Sequence, residues 1–212
     1  MRKISIRWMA ALCLLLMLFC SCGQEVFAEY TLDGGILCRV FGSESGLRRL
    51  EVTNAEGEMM RFSLPRSSLE PDPTGGLTLI DLNFDGHLDV QIAYKKMANG
   101  DMRYTCFLWS ETGLAESEAL SSLRNLELDA EGERLLAREH YILAEEYESN
   151  ARVAYVWQDG ALCAVQKREL IYYLEEEVYC VRDYAAEAGE DLTMVDERWI
   201  FPRSFDETEI WN

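Results

Sequence analysis

Asp81-Leu82-Asn83-Phe84-Asp85-Gly86-His87-Leu88-Asp89 puts oxygen-bearing side chains at loop positions 1, 3, 5 and 9 and a glycine at position 6. That is the spacing by which a short loop wraps one hard cation, the glycine permitting the sharp turn. Position 7 contributes only its main-chain carbonyl, so His87 enters through its backbone whatever its side chain. The candidate calcium ligands are therefore Asp81, Asn83, Asp85, the His87 backbone carbonyl and Asp89. An EF-hand would carry a bidentate Glu at position 12 on a helix, and here that position is Ile92. Leu88, Val90, Ile92 and Tyr94 instead alternate with Asp89, Gln91, Ala93 and Lys95, the period of a strand. The stretch reads as a calcium loop between β-strands, and calcium is the expected cofactor. Three carboxylates in nine residues repel one another when no cation is present. The competing readings are a metal-free Asn/Asp/Gly turn, and a calcium ion that only holds the fold.

Outward from the loop, the chain reads as short strands joined by tight turns. Tyr30–Phe41 breaks at Asp33-Gly34-Gly35, and Leu47–Val52 and Glu58–Leu64 flank Asn54-Ala55-Glu56-Gly57. Pro65–Gly76 is a proline- and glycine-rich connection into the loop. Met102–Trp109 is an aromatic and β-branched strand before Glu111-Thr112-Gly113. Asn125–Asp129 and Glu133–His140 form a further pair. Arg152–Trp157 and Leu162–Lys167 flank Gln158-Asp159-Gly160, a strong hairpin signal. Tyr172–Asp183 and Leu192–Ile200 follow. The one helix expected is short, over Glu116–Leu123, while Arg134–Tyr147 is open to a helical reading by composition. The fold class is all-β: an antiparallel meander of hairpins, propeller-like or an irregular sandwich, with a β-type calcium loop.

Arg2, Lys3 and Arg7 precede an apolar run, Trp8–Phe19, too short to span a bilayer and suited to a signal-peptide core. Leu18-Phe19-Cys20-Ser21-Cys22-Gly23 resembles a bacterial lipobox, with Ser21 before the lipidation candidate Cys22 and Phe19 where Leu is usual. The expected organisation is a signal peptide over 1–21, a tether over 22–29 after lipidated Cys22, and a single β domain over 30–212. The domain would be extracytoplasmic and lipid-anchored to the cell membrane or envelope. Secretion after cleavage at Ala28, following Val26-Phe27, is the alternative. The whole chain of 212 residues carries 20 basic and 38 acidic residues, net -18. The signal segment holds three basic residues and no acidic one, so the remainder has 17 against 38, net -21. Such a surface repels nucleic acid and anionic headgroups and favours cationic partners. Membrane association is expected through the N-terminal lipid only.

Cys38, Cys106, Cys163 and Cys180 allow three disulfide pairings, and buried free thiols are the alternative. No Cys-x-x-Cys pair supports zinc or thiol redox chemistry. No enzymatic activity is expected. Gly42-Ser43-Glu44-Ser45-Gly46 has Glu44 where a nucleophile elbow needs Ser. His140 has no motif around it. Glu145 and Glu146 are adjacent, so on a strand they face opposite sides and cannot act as a carboxylate pair. Trp109, Tyr155, Trp157 and Trp199 suit a core by their alternation, with sugar stacking as the lesser role.

Leu79–Tyr94 resembles the calcium loop of FG-GAP and VCBS repeats, the type found in integrin α-subunit propellers. Most of the mature chain also resembles a group of bacterial lipoproteins that carry one such loop on a propeller-like fold. The likeness rests on Asp81–Asp89, Phe107-Leu108-Trp109, Thr112-Gly113, Leu120-Ser121-Ser122-Leu123-Arg124-Asn125 and Tyr155-Val156-Trp157-Gln158-Asp159-Gly160-Ala161-Leu162, in that order. His87 stands where Tyr is usual. Some members of the group are thought to act as immunity or inhibitor proteins that neutralise peptidoglycan hydrolases. The resemblance implies a protein-binding module whose partner is a cationic envelope protein such as a peptidoglycan hydrolase. A structural or sensory surface lipoprotein with purely structural calcium, and a glycan-binding domain, are the alternatives.

Overall fold

Fourteen strands and one short helix are built from this pattern in a computed structural model, which describes residues 25–31, 35–43, 46–67, 69, 76–110, 113–144 and 147–201. The signal segment, Cys22, Glu44 and the Glu145-Glu146 pair lie outside the described residues. The chain divides into two compact units, Met1–Gly75 and Gly76–Asn212.

The first unit holds a four-stranded antiparallel meander of β1 (Glu25–Thr31), β2 (Leu37–Ser43), β3 (Gly46–Thr53) and β4 (Met59–Ser63). Cys38 and Val40 on β2 lie directly opposite Val52 and Leu50 on β3, and all four are fully buried. Direct partners share a face, so this is the apolar side of the sheet. The other side carries ion pairs. Glu29 meets Arg39 at 2.6 Å, and the buried Glu51 takes Arg61 at 2.9 Å and Arg49 at 3.1 Å.

The second unit holds two sheets. One is the meander β5 (Leu77–Ile80), β6 (Asp89–Lys96), β7 (Met102–Ser110) and β8 (Gly113–Glu116). The helix α1 (Glu118–Ser122) follows, its first turn capped by the Ser117 side chain. The other is a six-stranded antiparallel meander of β9 (Glu127–Asp129), β10 (Arg134–Ala144), β11 (Tyr147–Gln158), β12 (Ala161–Tyr173), β13 (Val178–Ala185) and β14 (Thr193–Ile200). A core of Leu82, Cys106, Leu120, Leu123, Leu126, Leu135 and Ala137 draws together the loop, β7, α1 and β10, with Tyr155 and Trp157 of β11 packed against it. The protein is thus all-β and antiparallel, as the alternating pattern requires.

The β11–β12 hairpin turns at Asp159 (φ 51°) and Gly160 (φ 77°), the two positive values a two-residue turn of this kind demands. Arg134–Ala144 is a strand although its composition also suits a helix, because β9 and β11 pair with it on both edges. Tertiary pairing satisfies its backbone and overrides local propensity. Several strand bounds differ from the sequence reading: β1 begins at Glu25, β11 at Tyr147, and β12 runs on to Tyr173. Tyr172–Asp183 is broken by a turn over Leu174–Glu177, with Glu177 at φ 52°. No glycine, proline or asparagine marks it. The stacked Tyr172 and Tyr179 rings, 4.6 Å apart, close the hairpin in place of a turn-forming residue.

All four cysteines beyond the N-terminal segment are free thiols. Burial pushes Cys38 up to about 11 and Cys106 up to about 12, so neither yields thiolate near neutral pH. Cys180 is also buried and shifted upward by the same cause, whereas Cys163 is partly accessible. Among these four, maleimide at pH 7 is expected to modify Cys163 first, with the others labelled only after denaturant is added. Peptide mapping checks this, and labelling of Cys106 at the rate of Cys163 would contradict the packing.

Candidate metal centre

The loop between β5 and β6 is wound by its own hydrogen bonds. The Asp81 carboxylate accepts the amides of Gly86 at 2.9 Å and Asp85 at 3.2 Å, so position 1 gathers the turn around itself. Asp85 accepts the His87 amide at 2.8 Å, and Asn83 Nδ2 donates to Asp85 at 2.8 Å. Phe84 (φ 59°) and Gly86 (φ 85°) hold the left-handed backbone values that coil the loop. A Cβ on Gly86 would meet nothing within 4 Å, so glycine is needed there for its φ and not for space.

Asp89 behaves differently from the other candidate ligands. It is fully buried, and each carboxylate oxygen accepts one amide: Leu82 N–H at 2.8 Å and Trp109 N–H at 2.7 Å. Burial pushes its pKa up to about 6. The two amide bonds pull the other way, while the charges of Asp85 and Asp81 add to the rise. Position 9 therefore clasps the loop to the end of β7 as well as facing the loop carboxylates.

Among the described residues no three His, Cys, Asp or Glu side chains converge as a closed metal cage. The donor set is nevertheless that of a hard cation: Asp81, Asn83 and Asp85 on one coil with the His87 carbonyl, and Asp89 beneath. A carboxylate oxygen that accepts one amide keeps a second lone pair, so the Asp89 bonds are compatible with ligation. The upward shift of Asp89 comes first from burial, and the nearby charges of Asp85 and Asp81 add the smaller part that a cation would neutralise. The residues fit calcium in chemistry and in loop winding.

One support of the loop, and two further bonds that fix β7, are not visible in the ligand spacing. Trp157 on β11 donates its indole N–H to the Leu82 carbonyl at 2.8 Å, across a separation of 75 residues. Behind β7, Asn125 sits at φ 48°; its side chain accepts the Met102 amide at 2.8 Å and donates to the buried Asp101 at 2.7 Å. Ser121 accepts the Cys106 amide at 2.9 Å. Trp157, Ser121 and Asn125 all lie in the segments that carried the family likeness. Trp157 ties the loop to β11, Ser121 anchors α1 to the middle of β7, and Asn125 fixes the far end of β7. Trp199, by contrast, is half exposed on β14 against Tyr173, away from that core. His140 pairs with Asn150 at 2.6 Å on neighbouring strands, and no acid–base constellation surrounds it among the described residues.

No family model matches the chain, and no curated protein matches it. A solved structure described as "Structure of a Xanthomonas Type IV Secretion System related protein" is similar in fold, with a TM-score of 0.55 at 15% identity. The alignment covers 80% of this chain and 92% of that one, a likeness of fold alone.

Proposed function

We propose that this protein is an envelope-tethered, calcium-binding lipoprotein with a propeller-like fold, acting as a protein-binding module that inhibits a cationic cell-wall hydrolase. The observation that carries the calcium half is the hydrogen-bonded coil of Asp81, Asn83 and Asp85 over the buried Asp89 carboxylate. Asp81, Asn83, Asp85, the His87 carbonyl and Asp89 would hold the ion. A bound calcium ion supplies charge neutralisation and rigidity there. Asp89 ties the loop to β7 through two amides, which favours a structural ion that stays out of the partner contact. The inhibitor half is supported by the family resemblance and by the excess of 38 acidic over 20 basic residues. An acidic surface raises the encounter rate with a basic partner, and salt weakens that attraction.

Calcium at a hundred times its dissociation constant is expected to stabilise the native chain by about 2.7 kcal/mol. Thermal midpoints in calcium and in chelator measure it, and Asp85→Ala should remove the difference. Identical midpoints for the native chain would refute the calcium assignment. For the partner, the purified domain is added to a panel of basic lysozyme-like hydrolases while cell-wall lysis is followed. Salt-sensitive suppression of lysis is expected. Undiminished lysis across the panel, with calcium stabilisation intact, would leave a structural lipoprotein as the reading.

A further inference from the structure

We propose that the six-stranded sheet carries a second binding site, a trough that takes an anionic ligand bearing a carboxylate or phosphate on a small uncharged body. The trough encloses about 740 Å³, is lined by residues of β9–β14, and lies on a different sheet from the calcium loop. That volume falls in the range of small-molecule sites, roughly 300–1,000 Å³.

Its form follows from the strand register. Leu136, Ala154, Gln166 and Ala185 stand directly opposite one another on β10, β11, β12 and β13, so they share one face. Two of the four are alanines, and this row makes a low floor running across the strands. Two residues along each strand, on the same face, runs the row Arg138, Arg152, Arg168, Asp183 and Asp196. Long side chains beside short ones give the trough its wall. On its other flank Arg134 is locked to Asp129 by two hydrogen bonds of 2.7 and 3.1 Å, and donates to Gln166 at 3.2 Å.

The wall runs against the electrostatic trend of the chain. Like charges directly opposite on adjacent strands are unfavourable, and here three arginines stand in line on β10, β11 and β12. Glu127 serves two of them, Arg138 at 3.2 Å and Arg152 at 3.8 Å. Arg168 is held by Asp183 at 2.6 Å, and that carboxylate also meets Arg198 at 3.4 Å. The carboxylates orient the guanidinium planes, and Arg134, Arg138 and Arg152 set three cations against Glu127 and Asp129. In a protein with 38 acidic and 20 basic residues this is a site where an oxyanion is attracted. Guanidinium donors match carboxylate and phosphate geometry. The oxyanion lies between Arg152 and Arg168, and the alanine-rich floor receives the ligand's body.

Glucuronate and glucose 6-phosphate are suitable probes against glucose as the neutral control, because neither strips calcium from the loop as a chelator would. Titration of the purified protein in saturating calcium should show either anion binding roughly tenfold more tightly than glucose. High salt should abolish the preference. Tighter glucuronate binding assigns a carboxylate ligand, and tighter glucose 6-phosphate binding a phosphate. Arg152→Gln and Arg168→Gln should each remove the preference while circular dichroism stays native. Arg152→Gln should also melt no lower than the native chain, since it relieves the arginine row. No preference over glucose, or full preference in both variants, overturns the proposal. Lower melting without any anion preference assigns the row to sheet structure alone.

Discussion

Asp89→Ala is expected to destabilise the calcium-free protein by about 2–4 kcal/mol at pH 7. The substitution leaves the Leu82 and Trp109 amides without their acceptor, and each orphaned buried donor costs roughly 1–3 kcal/mol. Relief of a buried charge offsets part of this loss. The offset depends on pH with a definite sign. The folded pKa of Asp89 is raised to about 6, above its unfolded value, so the native state holds its proton more tightly than the unfolded chain. Its stabilising contribution is complete below pH of about 4 and is lost as pH rises through about 6. Alanine has no such term. The cost of the substitution should therefore grow by about 2–3 kcal/mol when the pH is lowered from 7 to 4. Urea denaturation in chelator across that range measures it. A cost that stays flat with pH, or one near zero, would show that Asp89 is not the buried clasp described.

Trp157→Ala is expected to cost about 3–5 kcal/mol, the usual loss for truncating a large aromatic packed against a core. The ring lies against the cluster of Leu82, Leu120 and Leu135, and its indole N–H is the bond from β11 to the loop. Trp157→Phe separates the two contributions. It keeps most of the ring and leaves the Leu82 carbonyl without its donor, for about 1–2 kcal/mol. If the bond steadies the loop as well as the core, Trp157→Phe should also shrink the calcium-induced rise in thermal midpoint. Denaturant midpoints with and without calcium supply both readings. A phenylalanine variant as stable as the native chain, with the full calcium response, would reduce Trp157 to packing alone.

Much of this architecture is legible in local sequence, because backbone preference and side-chain alternation act over a few residues. Asp159-Gly160 supplies the two positive φ values of its hairpin, and Gly86 supplies the one the loop needs at position 6. The alternation after Leu88 announces a strand and rejects an EF-hand, and Ser117 starts the short helix α1. The ligand spacing from Asp81 to Asp89 is likewise a local property. What the loop rests on was decided by tertiary structure. Asp89 looks like one more rim ligand until β7 delivers the Trp109 amide from 20 residues away. Trp157 reads as an ordinary core aromatic until packing against the Leu82 and Leu135 cluster brings its N–H to the Leu82 carbonyl. The helical composition of Arg134–Ala144 gives way to strand pairing on both edges, and the turn at Leu174–Glu177 carries no turn-forming residue. The arginine row exists only through the register of β10, β11 and β12, since a slip of one residue would turn each strand's side chains to the opposite face. Pairing energy belongs to two strands at once, so no single segment of the chain encodes it.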